Sequence, residues 1–230
     1  MKSVLRGICL LLLVTLVGCA AQPMKVDSSF WDRKGQKIGL VIAELPKPTT
    51  HKAGAQGLLD IAINNAMAGT LDTYLAAVDI SGVNAVLTTL EDGLRKRGQI
   101  PVRLNSIKAD QLVDFKAPEG AGRYGAKDLR SLSGNEPVDA VLLVNVTAAG
   151  TIRSYYGFIP TSAPSGYLTT DNVMVNAKDN ILIWSALVSS TPPVQGEWDQ
   201  PPTYANIDSA IKNAVTQLSS NISKTLFESP

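Results

Sequence analysis

Apolar and polar positions change rhythm several times along the chain, and each rhythm predicts an element. Lys37-Ile-Gly-Leu-Val-Ile-Ala-Glu-Leu45 and Val138-Asp-Ala-Val-Leu-Leu-Val-Asn-Val146 are short, nearly continuous apolar runs, as in strands covered on both faces. Ile100 to Leu104, with Pro101 at its start, predicts a third, short strand. Gly166 to Asn176 and Ile181 to Ser190 predict two more, and Ala177-Lys-Asp-Asn180 between them has the length and chemistry of a hairpin turn.

Helical spacing appears in three stretches. Val83, Val86, Leu87, Leu90 and Leu94 form one stripe of a helix from about Gly82 to Arg97, with Ser81 as its N-cap and Gly98 just past its end. Glu91 with Arg95 and Asp92 with Lys96 are spaced for ion pairs on its solvent side, and Arg95, Lys96 and Arg97 complement the negative end of its dipole. Ile207, Ala210, Ile211, Ala214, Leu218, Ile222 and Leu226 trace a long closing helix. Between Gln56 and Val78, Leu59, Ile63, Met67, Leu71 and Leu75 recur at steps of four, interrupted near Gly69, while Asp60, Asn64 and Asp72 fall elsewhere. This pattern predicts a helix that lays its apolar stripe on its own domain, with contact to a partner as the alternative. Lys127 to Leu132 predicts a short helix, and the segment through His51 a polar loop. Together these elements give an α+β domain over residues 36–230: a mixed four- to five-stranded sheet, helices mainly on one face and a long C-terminal helix.

Composition adds little until the first residues are set apart. Behind Lys2 and Arg6, residues 8–17 carry no charge, the order of an export signal, and the run is too short for the roughly 20 residues of a membrane span. Leu16-Val-Gly-Cys19 resembles the lipobox of bacterial lipoproteins, which implies cleavage before Cys19, acylation of that cysteine and loss of residues 1–18. Ala20 and Ala21, with no Asp behind the cysteine, are similar to the pattern of lipoproteins sent to the outer membrane. The mature chain would carry 19 basic against 20 acidic side chains, which offers no basic field for nucleic acid. Its one remaining cysteine would hold lipid, so stability must come from a packed core. Residues 19–35, with Pro23 and no sustained period, read as a tether.

Several motifs dissolve on inspection. Gly120-Ala-Gly-Arg-Tyr-Gly125 matches G-x-G-x-x-G, yet Ala117-Pro-Glu119 separates it from any strand, so it reads as a flexible loop and not a dinucleotide site. His51 is the single histidine, which excludes paired-histidine zinc sites, and no G-x-S-x-G elbow is present. Glu44, Glu119, Glu136 and Glu197 are candidates for a carboxylate pair that sequence does not place relative to one another. No cofactor or metal is called for. Trp184, in the hairpin, belongs to the core. Tyr155, Tyr156 and Phe158 fall in a Gly-, Pro- and Ser-rich segment between strands, and Trp198 has polar neighbours followed by prolines. These four are the candidate partner-binding residues, with a lid folded over the sheet edge as the alternative.

Ile38 to Glu44 leading to the Val83–Leu94 helix, the run Val138–Val144, the hairpin Val173–Trp184 and the closing helix together resemble the amino-terminal domain of TolB and the periplasmic lipoproteins that share its fold. Among these are curli-secretion channel lipoproteins and the outer-membrane activator of a peptidoglycan synthase. The resemblance covers most of residues 36–227 and implies work in envelope assembly or secretion. Pore formation is not implied, since no loop here offers two successive strands of about 10 residues with alternating polarity.

The reading that results is a non-enzymatic lipoprotein, held to the outer membrane by Cys19, that faces the periplasm and binds an envelope protein or itself. A carrier of a small lipid or glycan is the alternative, and a carboxylate-dependent wall hydrolase stands behind it. Replacing Cys19 with Ala should move the protein from the membrane to the soluble fraction; retention in the membrane would contradict the anchor.

Overall fold

The centre of the sheet follows from the two uncharged runs. In the computed structural model, which describes residues 24–120 and 122–228, the strands are β1 (Lys37–Ile42), β2 (Thr49–Ala55), β3 (Ile100–Arg103), β4 (Ala140–Tyr156), β5 (Ile159–Pro160), β6 (Ser165–Asn176) and β7 (Leu182–Ser190). Five run in the order β3-β1-β4-β6-β7, with β1 parallel to β3 and β4, and β4, β6 and β7 antiparallel in turn. The other two extend the sheet along the far half of β4: β2 pairs with it in parallel and β5 antiparallel. The helices are α1 (Ser28–Asp32), α2 (Leu58–Leu75), α3 (Ala85–Lys96) and α4 (Ala205–Phe227). This is an α+β fold with a mixed sheet and a long C-terminal helix.

The main core lies between the sheet and α1, α3 and α4. Ile38, Leu40, Leu142, Val144, Met174 and Trp184 from the strands meet Leu90 and Leu94 of α3 and Ile207, Ile211, Leu218 and Ile222 of α4. A smaller cluster on the opposite face joins Val41, Val141, Leu143 and Val175 to Leu112 and Leu129 of the irregular segment after β3. Burial on both faces removes the need for alternation, which is why β1 and the start of β4 read as unbroken apolar runs. Trp184 is fully buried and its indole N–H donates to the Thr225 carbonyl at 3.3 Å.

Four local predictions are corrected. The stretch read as a tether through Gly35 is part of the fold from Met24 onward: Met24 bridges Ser185 of β7, and Val26, Phe30 and Trp31 enter the core. Ser81 does not cap α3. It opens a 3-10 turn, Ser81–Asn84, and the Asp79 carboxylate accepts its backbone N–H at 2.8 Å. Glu91 is buried rather than on the solvent side, where the Arg103 guanidinium of β3 bonds it and holds its carboxyl below the usual range; its predicted pair with Arg95 forms at 3.4 Å, while Asp92 pairs with Arg95 at 3.2 Å and not with Lys96. Lys127–Leu132 yields only a 3-10 turn, Arg130–Ser133. The export signal, the lipobox and Cys19 lie outside the described residues.

The loop that covers the smaller cluster depends on one residue of the hairpin turn. Asn180 is fully buried, with φ at +62°, a conformation asparagine tolerates better than most residues. Its Oδ1 accepts the Leu129 backbone N–H at 3.1 Å, and its Nδ2 donates to the carbonyls of Gly125 and Lys127 at 3.1 and 3.0 Å. Gly125, at the end of the glycine run, is thus pinned to the β6–β7 turn, and among the described residues no strand directly precedes the run and no α-helix directly follows it. Asn180→Ala should cost about 3 kcal/mol, because it strands buried backbone groups. Urea unfolding checks this, and a loss below about 0.5 kcal/mol, no more than a surface change, would contradict the pinning.

Candidate functional site

The site is built on the part of β4 that outruns the central sheet. Opposite β6 the register shifts between Val146 and Ala148, so one extra residue flips the alternation of β4. Leu142, Val144 and Val146 face the helices before the bulge, and Ala149 does so after it, which carries Thr151, Arg153 and Tyr155 to that same face and Tyr156 to the other. The candidate aromatics Tyr155 and Tyr156 therefore lie on a strand and not in a loop.

Alongside runs β2, the segment read as a polar loop. Two glycines let it approach: Gly54 (φ +101°) lies against the Tyr155 carbonyl and Gly150 (φ +123°) against the backbone of Thr49, and a Cβ at either position would collide. The His51 ring donates from Nε2 to the Ala149 carbonyl at 3.1 Å and meets Tyr167 edge-on, so the single histidine serves the packing of this extension.

Helix α2 closes the outer side of β2, and it is turned one residue from the predicted orientation. Asp60, Asn64, Ala68 and Asp72, also at steps of four, face inward. The Asp72 carboxylate accepts the Thr50 backbone N–H at 2.7 Å and the Thr49 hydroxyl at 2.9 Å. Asn64 Nδ2 donates to Gln56 Oε1 at 2.8 Å and to the Gly157 carbonyl at 3.1 Å. What lies beneath the helix is strand edge and turn backbone, so polar side chains bind there better than leucines do. The consequence is an apolar face turned to solvent: Leu58, Leu59 and Met67 are 90%, 73% and 74% exposed, with Ile61 and Ile63 between them. Only at its C-terminal end does the apolar stripe enter the main core, through Leu75 and, in part, Leu71. The prediction that this stripe packs on its own domain is overturned for Leu59, Ile63 and Met67.

Between α2, the β2–β4 pair, the β4–β5 tip and the segment 198–204 lies a cleft of about 470 Å³. Its walls bring together Tyr155, Phe158 and Trp198, three of the four candidate residues. Tyr156 stands apart, exposed on the other side of β4. Sequence reasoning did not single out Asn64, Lys52 or Arg153, which also line the cleft. The Arg153 guanidinium lies 4.8 Å over the Trp198 ring and 5.9 Å over the Tyr155 ring, and its Nε donates to the Ser162 carbonyl at 2.7 Å. Asp199 is the one acid among the lining residues, so Glu44, Glu119, Glu136 and Glu197 form no pair here. Among the described residues no cluster of three or more His, Cys, Asp or Glu is placed to hold a metal, and no helix is long and apolar enough to cross a membrane.

No family model and no curated protein matches the chain. Solved structures do align with it. Lipoprotein GNA1162 from Neisseria meningitidis is 14% identical over 78% of this chain and 99% of its own, with a TM-score of 0.35. Protein XCC0632 from Xanthomonas campestris is 11% identical over 88% and 89%, at 0.40. PelC from Paraburkholderia phytofirmans is 11% identical over 86% and 95%, at 0.32. Overlaps this loose decide nothing about what the chain does, and the geometry has to carry the functional reading.

The clamp on β2 is open to test. Asp72→Ala leaves the Thr50 amide without its carboxylate, and exchange of that amide should speed up about tenfold, equivalent to ~1.4 kcal/mol. Unchanged exchange at Thr50 would contradict the role given to α2.

Proposed function

We propose that the protein is a non-enzymatic envelope lipoprotein that works by docking an envelope protein on the outward face of α2. The observation that carries this reading is the exposure of Leu58, Leu59, Ile61, Ile63 and Met67 on one helix with no charged residue from Ile61 to Leu71. Beside it, Asn64 holds the β4–β5 tip, where Tyr156, Phe158 and Ile159 are exposed as well. A folded monomer rarely leaves so many large apolar groups together in water, and such patches mark interaction surfaces. The complement is an apolar, uncharged surface on the partner.

Anchoring by acylated Cys19 fits this arrangement. The fold is already under way at Met24, so lipid five residues away would hold the domain within about 17 Å of the bilayer, the reach of an extended link of that length. Placement at the outer membrane, facing the periplasm, rests on the lipobox and the residues behind it. The TolB-like pattern supports assembly, secretion or wall synthesis as the setting, among which fold alone does not choose. A reading without catalysis is supported by the cleft, which offers one acid and, in His51, a ring nitrogen already committed to a backbone carbonyl.

A photocrosslinking side chain placed at Ile63 in cells should join the protein to one envelope protein. The double change Leu59→Glu and Met67→Glu, both at exposed positions, should abolish that product while leaving the fold intact. Adducts to lipid alone, a product that is only a second copy of this chain, or a product indifferent to the two glutamates would each contradict docking of a protein partner at α2.

A further inference from the structure

The β2–β4 pairing sets Lys52 directly beside Arg153, and both line the cleft. Like charges on neighbouring strand positions repel. Neither side chain forms an ion pair among the described residues, and Asp199, at the same cleft, pairs with neither. Lys52 reaches only the Thr50 hydroxyl, at 3.2 Å. Arg153 is held as a rigid plate by the rings of Tyr155 and Trp198 and by the bond from Nε to Ser162, which leaves its two Nη groups free to meet an anion side by side. A second, independent demand comes from the roof of the cleft. Asn64 is 1% exposed, both hydrogens of its amide are committed, and its Oδ1 has no partner. A buried acceptor left unpaired costs stability until a donor reaches it. Tyr155, Phe158 and Trp198 give the cleft aromatic surface beside these polar groups, and the volume lies in the range of small-molecule sites.

An occupant must therefore supply an anionic acceptor, an O–H or N–H donor and an apolar face within one small body. A fatty acid lacks the donor, and a neutral sugar lacks the anion. We propose that the cleft binds an acidic saccharide: its carboxylate sits on Arg153 and Lys52, a hydroxyl or amide N–H donates to Asn64 Oδ1, and a ring face lies against Tyr155, Phe158 and Trp198. This site stands independently of docking at α2, since its polar contacts come from Asn64 on the inner side of that helix and from the β2–β4 pair; Met67 and Phe158 border both surfaces.

Calorimetry and tryptophan fluorescence on the detergent-solubilised, full-length protein test the proposal with galacturonate and glucuronate disaccharides, N-acetylmuramic acid, the neutral galactose disaccharide, adenosine monophosphate and inorganic phosphate. At least one acidic sugar should bind, at least tenfold more tightly than the neutral disaccharide, the nucleotide or phosphate, and Arg153→Met and Lys52→Met should each weaken it at least tenfold. Should Arg153→Met fail to fold, Lys52→Met, an edge-strand change, carries the comparison. Binding of none of the acidic sugars, equal binding of the neutral sugar, tighter binding of the nucleotide or of phosphate alone, or indifference to both variants would overturn it.

Discussion

The outer edge of β2 presents backbone groups that must find partners, and helix α2 supplies them from Asp72, while Asn64 does the same for the turn after β4. Everything distinctive about this end of the molecule follows from that requirement. Because the inward stripe has to be polar, the leucines and Met67 one position away face water. Because α2 is held across the sheet extension and not on the main core, a cleft remains beneath it. The exposed apolar face and the cleft are thus two sides of one helix, fixed by the same few hydrogen bonds.

The opposite end obeys different physics. Around β1, the first part of β4, α3 and α4, both sheet faces are covered and the apolar groups are fully buried. That body supplies the stability which the polar-clamped extension cannot, since a bond at a partly exposed edge is worth about 1 kcal/mol while a buried leucine is worth two or three times as much. A buried apolar core thus carries a polar-clamped, apolar-faced appendage.

The division also sets what the sequence could reveal. Apolar runs covered on both faces, the 3.6-residue stripe of α4 and the Ala177–Asn180 turn are local signals, and they placed the central strands, α3, α4 and Trp184. The strand character of Thr49–Ala55 and of Arg153–Tyr156 is not local. Thr49–Ala55 is mostly small or polar and Arg153–Tyr156 sets a charge and a serine before its two tyrosines; both become strands through pairing with each other, past a bulge that no residue pattern marks. The orientation of α2 was hidden for the same reason: with Leu59, Ile63 and Met67 on one stripe and Asp60, Asn64 and Asp72 on the next, either could face inward, and only the nature of what lies beneath decides. Tyr155, Phe158 and Trp198 were found as aromatics in a segment poor in apolar neighbours. Arg153 and Lys52 carry no signal until the register sets them side by side, and Asn64 none until its amide is seen to be buried.

The orientation of α2 is the claim on which both functional readings rest, and thiol accessibility reports it directly. In the lipid-free monomer with Cys19 replaced, single cysteines at Leu59, Met67, Asn64 and Leu75 can be timed against a maleimide. Leu59→Cys and Met67→Cys should react at close to the rate of the unfolded chain, whereas Asn64→Cys and Leu75→Cys should be protected at least a hundredfold. Protection at positions 59 and 67 with rapid reaction at 64 would turn the helix over, and with it the docking face and the cleft.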